Sequence, residues 1–186
     1  MNRGGRIAAR LALLVGSAVA GWVIMLDRIP VLATDMLFEA MTAAGARTNR
    51  LGPAVVRSAR ANKVPMANAD ILARSAMLDL SAGPLRFTGT PPGDKAAYWS
   101  VSVFAHNTDT LFVLNDRQVP PGRPVVVQLR LAHQPQPEAG VWDVVLPSPR
   151  GFLLVRPTMK DREDAAGVAA LQAALADHRL EAWPSR

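Results

Sequence analysis

The 186-residue sequence contains no cysteine, which excludes a disulfide framework, a thiolate nucleophile, cysteine-ligated zinc, iron–sulfur clusters and a lipidated lipoprotein cysteine. Aromatic residues are few, with one Tyr, four Trp and five Phe, and lysine is scarce beside arginine, three against eighteen. The three histidines, His106, His133 and His178, fall in no metal-binding helix spacing, and no HExxH occurs. A GxSxG elbow, a P-loop and a dinucleotide fingerprint are likewise missing, so neither a cofactor nor a resident metal is expected. No internal repeat is found.

The formal charge is +6, but Arg3, Arg6 and Arg10 supply half of it, leaving 18 basic against 15 acidic residues from Asp27 onward. Nucleic-acid readers gather positive charge on one face and often add stacking aromatics. Here the charge is dispersed, and no nucleic-acid partner is expected. Hydrophobic residues make up 49% and charged residues 19%, a globular balance with an apolar excess that one spanning segment accounts for. The length supports one domain beside such a segment.

Leu11 to Leu26 (LALLVGSAVAGWVIML) carries no charge, and Ile7 to Leu26 carries only Arg10. Twenty helical residues reach about 30 Å, the thickness of the hydrocarbon layer, and Arg10 can snorkel to the headgroups. Three arginines precede the span while Asp27 and Arg28 cancel after it, so the positive-inside rule places the N-terminus in the cytoplasm and the domain in the periplasm of an inner-membrane, single-pass protein. The competing reading is a cleaved signal peptide, with Ala18-Val19-Ala20 as a small-x-small site. The apolar run continues past that site through Trp22 to Leu26, an odd start for a soluble mature chain.

The expected organisation is a cytoplasmic stub and anchor over 1–26, a helical juxtamembrane segment over 27–69, broken in two at Gly52-Pro53, and a β domain over 70–186. In the juxtamembrane segment Ile29, Leu32, Met36, Leu37 and Met41 recur at helical spacing. Five positive residues, Arg47, Arg50, Arg57, Arg60 and Lys63, occur between Glu39 and Asp70 with no negative one, which makes them candidates for anionic headgroups as well as an ordinary solvated face.

Beyond Asp70 the pattern is β. Trp99, Val101, Val103 and Ala105 alternate with Tyr98, Ser100, Ser102 and Phe104, which predicts a half-exposed strand. Thr110–Leu114 follows after a hairpin turn at His106-Asn107-Thr108-Asp109. Further strands are predicted around Val125–Leu131, Val141–Leu146 and Phe152–Arg156, punctuated by Pro and Gly. A closing helix takes Asp161 as its N-cap and Val168, Leu171 and Leu175 as its buried stripe. The fold class is mainly β with flanking helices (α+β): an antiparallel sandwich or small barrel, an N-terminal transmembrane helix and a C-terminal amphipathic helix.

The polar residues His106, Asp109 and Asp116, with Ser100 or Ser102 as a nucleophile, are the only catalytic candidates, against an ordinary reading as turn chemistry. Asp79 stands where a strand runs into a turn and can cap turn amides.

The frame Asn68-Ala69-Asp70, Leu78-Asp79-Leu80-Ser81-Ala82-Gly83-Pro84, Tyr98-Trp99-Ser100-Val101-Ser102-Val103 and Gly151-Phe152-Leu153-Leu154-Val155-Arg156 resembles the domain-of-unknown-function family numbered 1254, in its short, membrane-anchored bacterial form. The resemblance runs from the anchor to the final helix. It implies an integral membrane protein without an established activity, and a companion envelope protein from the family numbered 1214. It carries over no catalytic residue. Some short relatives carry a cysteine before the D-L-S-x-G-P stretch and another near the C-terminus; both are absent here. The expected function is therefore a non-enzymatic binding or assembly module of the cell envelope, the alternative being a small-ligand-binding or hydrolase-like domain.

Overall fold

The computed structural model describes residues 3–56, 68–120 and 122–184. It opens with one helix, α1 (Arg3–Ala43), which is long and apolar enough to cross a membrane. The end of the apolar run at Leu26 is not the end of the helix, which continues through Asp27, Arg28 and Pro30. Proline forfeits the helical N–H bond to the carbonyl four residues before it, and in the following turn the Thr34 hydroxyl donates to the Pro30 carbonyl at 3.0 Å.

The helix stops at Gly45, not at Gly52-Pro53. Gly45 adopts φ +86°, its N–H donates to the Thr42 carbonyl, and the Ala46 N–H reaches back to Met41. This paired closure satisfies the last carbonyls and needs a residue without Cβ at its left-handed position. The helical piece expected after Gly52-Pro53 is replaced by extended chain ending in the short strand β1 (Val55–Val56). The rest of that stretch, with Arg57, Arg60 and Lys63, lies outside the described residues.

Eight more strands follow: β2 (Leu72–Asp79), β3 (Leu85–Gly89), β4 (Tyr98–Ala105), β5 (Thr110–Asn115), β6 (Val125–Leu131), β7 (Trp142–Leu146), β8 (Arg150–Thr158) and β9 (Arg179–Ala182), the last preceded by α2 (Ala165–Ala174). One sheet has the order β1-β2-β8-β4-β5 and is antiparallel throughout. The other has the order β7-β6-β3-β9, with β6 and β7 parallel. Both sheets feed one core, in which Trp99, Val101, Val103 and Leu153 meet Phe87, Val127, Leu129 and Val144. Leu171 and Leu175 of the predicted stripe close one end of that core, with Val168 packed against it.

Two local expectations change. β4 is not half-exposed, because Ser100 and Ser102 on its outer face are fully buried. Register places them opposite Arg156 and Leu154 of β8, whose longer side chains stand beside them, and the Arg156 guanidinium donates to Ser102 Oγ at 3.2 Å. The N-cap of α2 is Asp164, which accepts from the Ala166 N–H at 3.1 Å. Asp161 accepts from the Glu163 N–H and shapes the turn before the helix.

The part of α1 beyond the apolar run docks on the β domain. Phe38 is buried against the rings of Phe152 and His106, while the Arg150 guanidinium lies 5.3 Å from its ring centroid. Asp35 Oδ1 receives both His106 Nε2 at 2.8 Å and Arg150 Nη1 at 2.6 Å.

Candidate functional site

The chain leaving α1 runs back along β2 as a strap. Asn49 N–H donates to the Met77 carbonyl and Gly52 N–H to the Ser75 carbonyl. The Asn49 side chain forms a two-way clasp with the main chain of Asp79, donating to its carbonyl at 2.7 Å and accepting from its N–H at 2.8 Å. Asn49 sits at φ +59°, a left-handed conformation that asparagine tolerates better than most residues.

At the end of β2 the chain crosses to the other sheet through Leu80-Ser81-Ala82-Gly83-Pro84. The Leu80 N–H donates to the Pro149 carbonyl, and its own carbonyl accepts from Gln134 Nε2 at 2.8 Å. Hydrogen bonds from the side chain and the backbone amide of Ser81 hold the Asp79 carboxyl below its ordinary pKa. Asp79 therefore caps the turn, as expected, in its charged form.

This crossing floors a groove of about 910 Å³. One wall is the strap, with Asn49 and Arg50; the other is β9 and its continuation to Trp183, with Pro135 closing an end. The Trp183 N–H donates to the Pro84 carbonyl at 2.8 Å. Arg86 pairs with Glu181 and lies 6.0 Å from the Trp183 ring centroid. The groove thus opens between the β2 side of one sheet and β9 of the other, and among the described residues β9 pairs only with β3.

The candidates from the sequence do not converge. His106 follows β4 at one end and is engaged with Asp35 of α1. Asp109 is bonded to the Asn107 amide at 2.8 Å in the hairpin turn. Asp116 lies at the opposite end of β4, where its Oδ2 accepts from the Trp99 N–H at 3.2 Å. Seven residue steps along β4 separate Trp99 from His106, about 23 Å. Ser100 and Ser102 are buried on the outer sheet face, away from the core. Arg47 and Arg50 are exposed just past the end of α1, and Arg50 lines the groove. Among the described residues no group of His, Asp and Glu side chains is placed to hold a metal ion.

Two buried polar clusters were not anticipated. His178 is buried between the sheets: the Trp99 indole N–H donates to its Nε2 at 3.1 Å, and its Nδ1 lies 2.8 Å from Asp177 Oδ1. An acceptor Nε2 requires the proton on Nδ1. Burial lowers the His178 pKa, opposed by the charge and hydrogen bond of Asp177. Arg130 is buried at the end of β6, doubly bonded to Asp143 at 2.8 Å, and its Nη1 donates to the carbonyls of Leu131, Ala132 and Gln134. The only sequence signal for either was a polar residue beside apolar strand positions.

Comparison with known proteins adds a family and a fold. None of the curated proteins matches this chain. Among solved structures, the VPA0106 protein from Vibrio parahaemolyticus is similar with a TM-score of 0.64 and 15% identity, over 87% of this chain and 36% of that one. An uncharacterised protein from Burkholderia cenocepacia aligns with a TM-score of 0.49 and 22% identity, over 94% of this chain and 53% of that one. The chain thus spans about a third and about half of these structures. The family described as "Protein of unknown function (DUF1254)" matches residues 48–177, from the strap through β2 and the crossing turn to the end of α2. With most of its length matched, this chain belongs to the DUF1254 family.

Proposed function

We propose that this protein is a membrane-anchored binding module of the bacterial cell envelope, held on the outer side of the inner membrane, and that it takes an extended segment of a partner protein into the groove between the strap and β9. The groove carries the reading. A sheet edge offers unpaired N–H and C=O groups to an added strand, and a cleft beside that edge gives the strand's side chains somewhere to go. The companion family 1214 is the candidate source of the segment. The distance of Asp116 from the His106–Asp109 turn and the burial of Ser100 and Ser102 favour binding over catalysis, since a nucleophile and its base must lie within hydrogen-bond reach.

Arg47 and Arg50 serve such a partner better than lipid headgroups. Seventeen helical residues from Leu26 to Ala43 rise about 25 Å along the helix axis, well past a headgroup layer of about 5–8 Å. The positive-inside pattern of Arg3, Arg6 and Arg10 supports the orientation.

A photo-crosslinking residue in place of Trp183 tests this in intact cells. The expected product is one discrete adduct with the family 1214 protein, and moving the domain onto a cleavable signal in place of α1 reduces its yield, since a shared membrane raises effective concentration. Crosslinking to no protein, together with turnover of a small molecule that His106→Ala or Asp109→Asn abolishes, would replace the binding reading with an enzymatic one.

A further inference from the structure

One side chain ties the strap to the chain that enters β9, and it meets a buried histidine there. Arg74 of β2 donates from Nε to the Gly52 carbonyl at 2.8 Å, and from Nη1 to the carbonyls of Leu175 at 2.6 Å and His178 at 3.3 Å. The two walls of the groove are thus held together through the backbone of His178, two residues before the groove-lining Leu180.

The imidazole of His178 suits this place only without a charge. Its Nδ1–H donates to the Asp177 carboxylate at 2.8 Å, and its Nε2 accepts the Trp99 indole N–H at 3.1 Å. A second proton would go onto Nε2, where it would face the indole N–H, donor against donor. Two charged groups act on the ring, Asp177 from its own segment and Arg74 from β2. The Asp177 side chain is half exposed and also accepts from the Thr90 N–H, so it is a weak countercharge, while Arg74 repels a second cation. Phe87 and Gly89 of β3 and Trp99 of β4 add no charge, and Asp116, after β5, bonds the Trp99 backbone N–H. Nor has the ring room to turn, because a Cβ on Gly89 would lie 2.6 Å from it and the Phe87 and Trp99 rings flank it at 5.9 Å. A protonated ring leaves by moving with its backbone, which takes with it a carbonyl that Arg74 holds and the first residues of β9.

We propose that His178 is a proton-operated latch on the groove: acid on the outer side of the membrane frees the chain entering β9 from Arg74, the walls part, and a bound strand is released. The proposal rests on the binding reading above and supplies its regulation. Burial opposes the charged imidazole, so the closed groove favours the neutral ring and the proton is taken up on opening. A strand paired with the edge of β9 then loses its contacts to the strap.

The cysteine-free chain takes a pair of spin labels directly. In the full chain reconstituted in phosphatidylcholine vesicles, labels at Arg50→Cys on the strap and Arg179→Cys at the start of β9 report the width of the groove by double electron–electron resonance. Between pH 7 and 5 a longer distance should gain population, by up to about tenfold per pH unit for one proton. His178→Gln, which keeps an acceptor for the indole and takes no proton, should hold the pH 7 distance throughout. Labels at Val113→Cys of β5 and Val145→Cys of β7 should keep their separation, because the rest of the sandwich stays folded. In the chain with His178 intact, ¹⁵N spectra should show Nε2 gaining its proton over the interval in which the longer distance appears. A distance independent of pH, a change that persists in His178→Gln or is shared by the Val113–Val145 pair, or a ring still neutral where the walls part would each overturn the latch. The Trp183 adduct in intact cells is read separately in media at pH 7 and 5, and should fall in acid but hold in His178→Gln. An adduct that ignores pH while the walls part would overturn the control of binding. No adduct at either pH removes the binding reading itself and leaves the distances to judge the latch.

Discussion

A histidine at position 178 has been given a single neutral tautomer by its surroundings. Trp99 donates to Nε2 and Nδ1–H donates to the Asp177 carboxylate, while the rings of Phe87 and Trp99 pack edge-on around it. Gly89 is small for the same reason, because a Cβ there would lie 2.6 Å from the imidazole. His178→Ala should cost about 3 kcal/mol by leaving a cavity and an unpaired buried indole N–H, read as a shift in the denaturation midpoint. Desolvation lowers the folded pKa below the ordinary 6.5, against the opposing pull of Asp177 and with a smaller push from Arg74. Between those two values the unfolded chain binds more protons than the folded one, so stability is full above about pH 6.5 and falls as the pH drops through the folded pKa. A chain with His178→Gln should lose that slope, and an unchanged slope in urea titrations between pH 7 and 5 would show that other groups cause it. Arg130 makes a different demand: Arg130→Ala strands Asp143 and removes a donor from three carbonyls, a loss of about 3 kcal/mol by equilibrium unfolding.

Strands with clean alternation, β4 above all, were legible as strands, and the hairpin at His106 followed from its turn residues. What alternation alone could not say was whether the second face of β4 is wet. That depends on the lengths of side chains in β8, more than fifty positions away, and Arg156 and Leu154 beside Ser102 decide it. Val101→Ala should cost about 1–3 kcal/mol by lost burial and cavity. Ser102→Leu should now be comparably harmful by overpacking, whereas a half-exposed strand would have tolerated it; thermal melts of the two variants decide. β9 was missed because Arg-Leu-Glu-Ala is short and half charged, and only its place beside β3 makes it a strand. The stop at Gly45 was missed because a lone glycine inside an alanine-rich helical pattern is a weaker signal than Gly-Pro, although a left-handed closure needs only the glycine. The groove could not be read at all: Arg50, Asp79 and Trp183 are brought together by the pairing of β2 and β9 into separate sheets.

Taken whole, the molecule is a β sandwich fastened to a helical post, and one residue of the fastening, His106, looked like chemistry in the sequence. His106 and Arg150 share the Asp35 carboxylate, and Phe38 fills the space between them. Phe38→Ala should loosen the post while leaving the sandwich folded, so a spin label on Met36 should gain motion with little change in the melting of the domain. Asp35→Ala should act in the same direction. Only five residues, 44–48, join the last turn of α1 to the clasp at Asn49. At about 3.5 Å per residue that tether extends to about 17 Å at most. A sandwich released from Phe38 therefore cannot drift away; it can only swing about Gly45 like a flag on a short halyard, within that reach of the helix end. Lengthening the tether by inserted Gly-Ser after Arg47, more than any substitution in the post, would give the domain vertical reach.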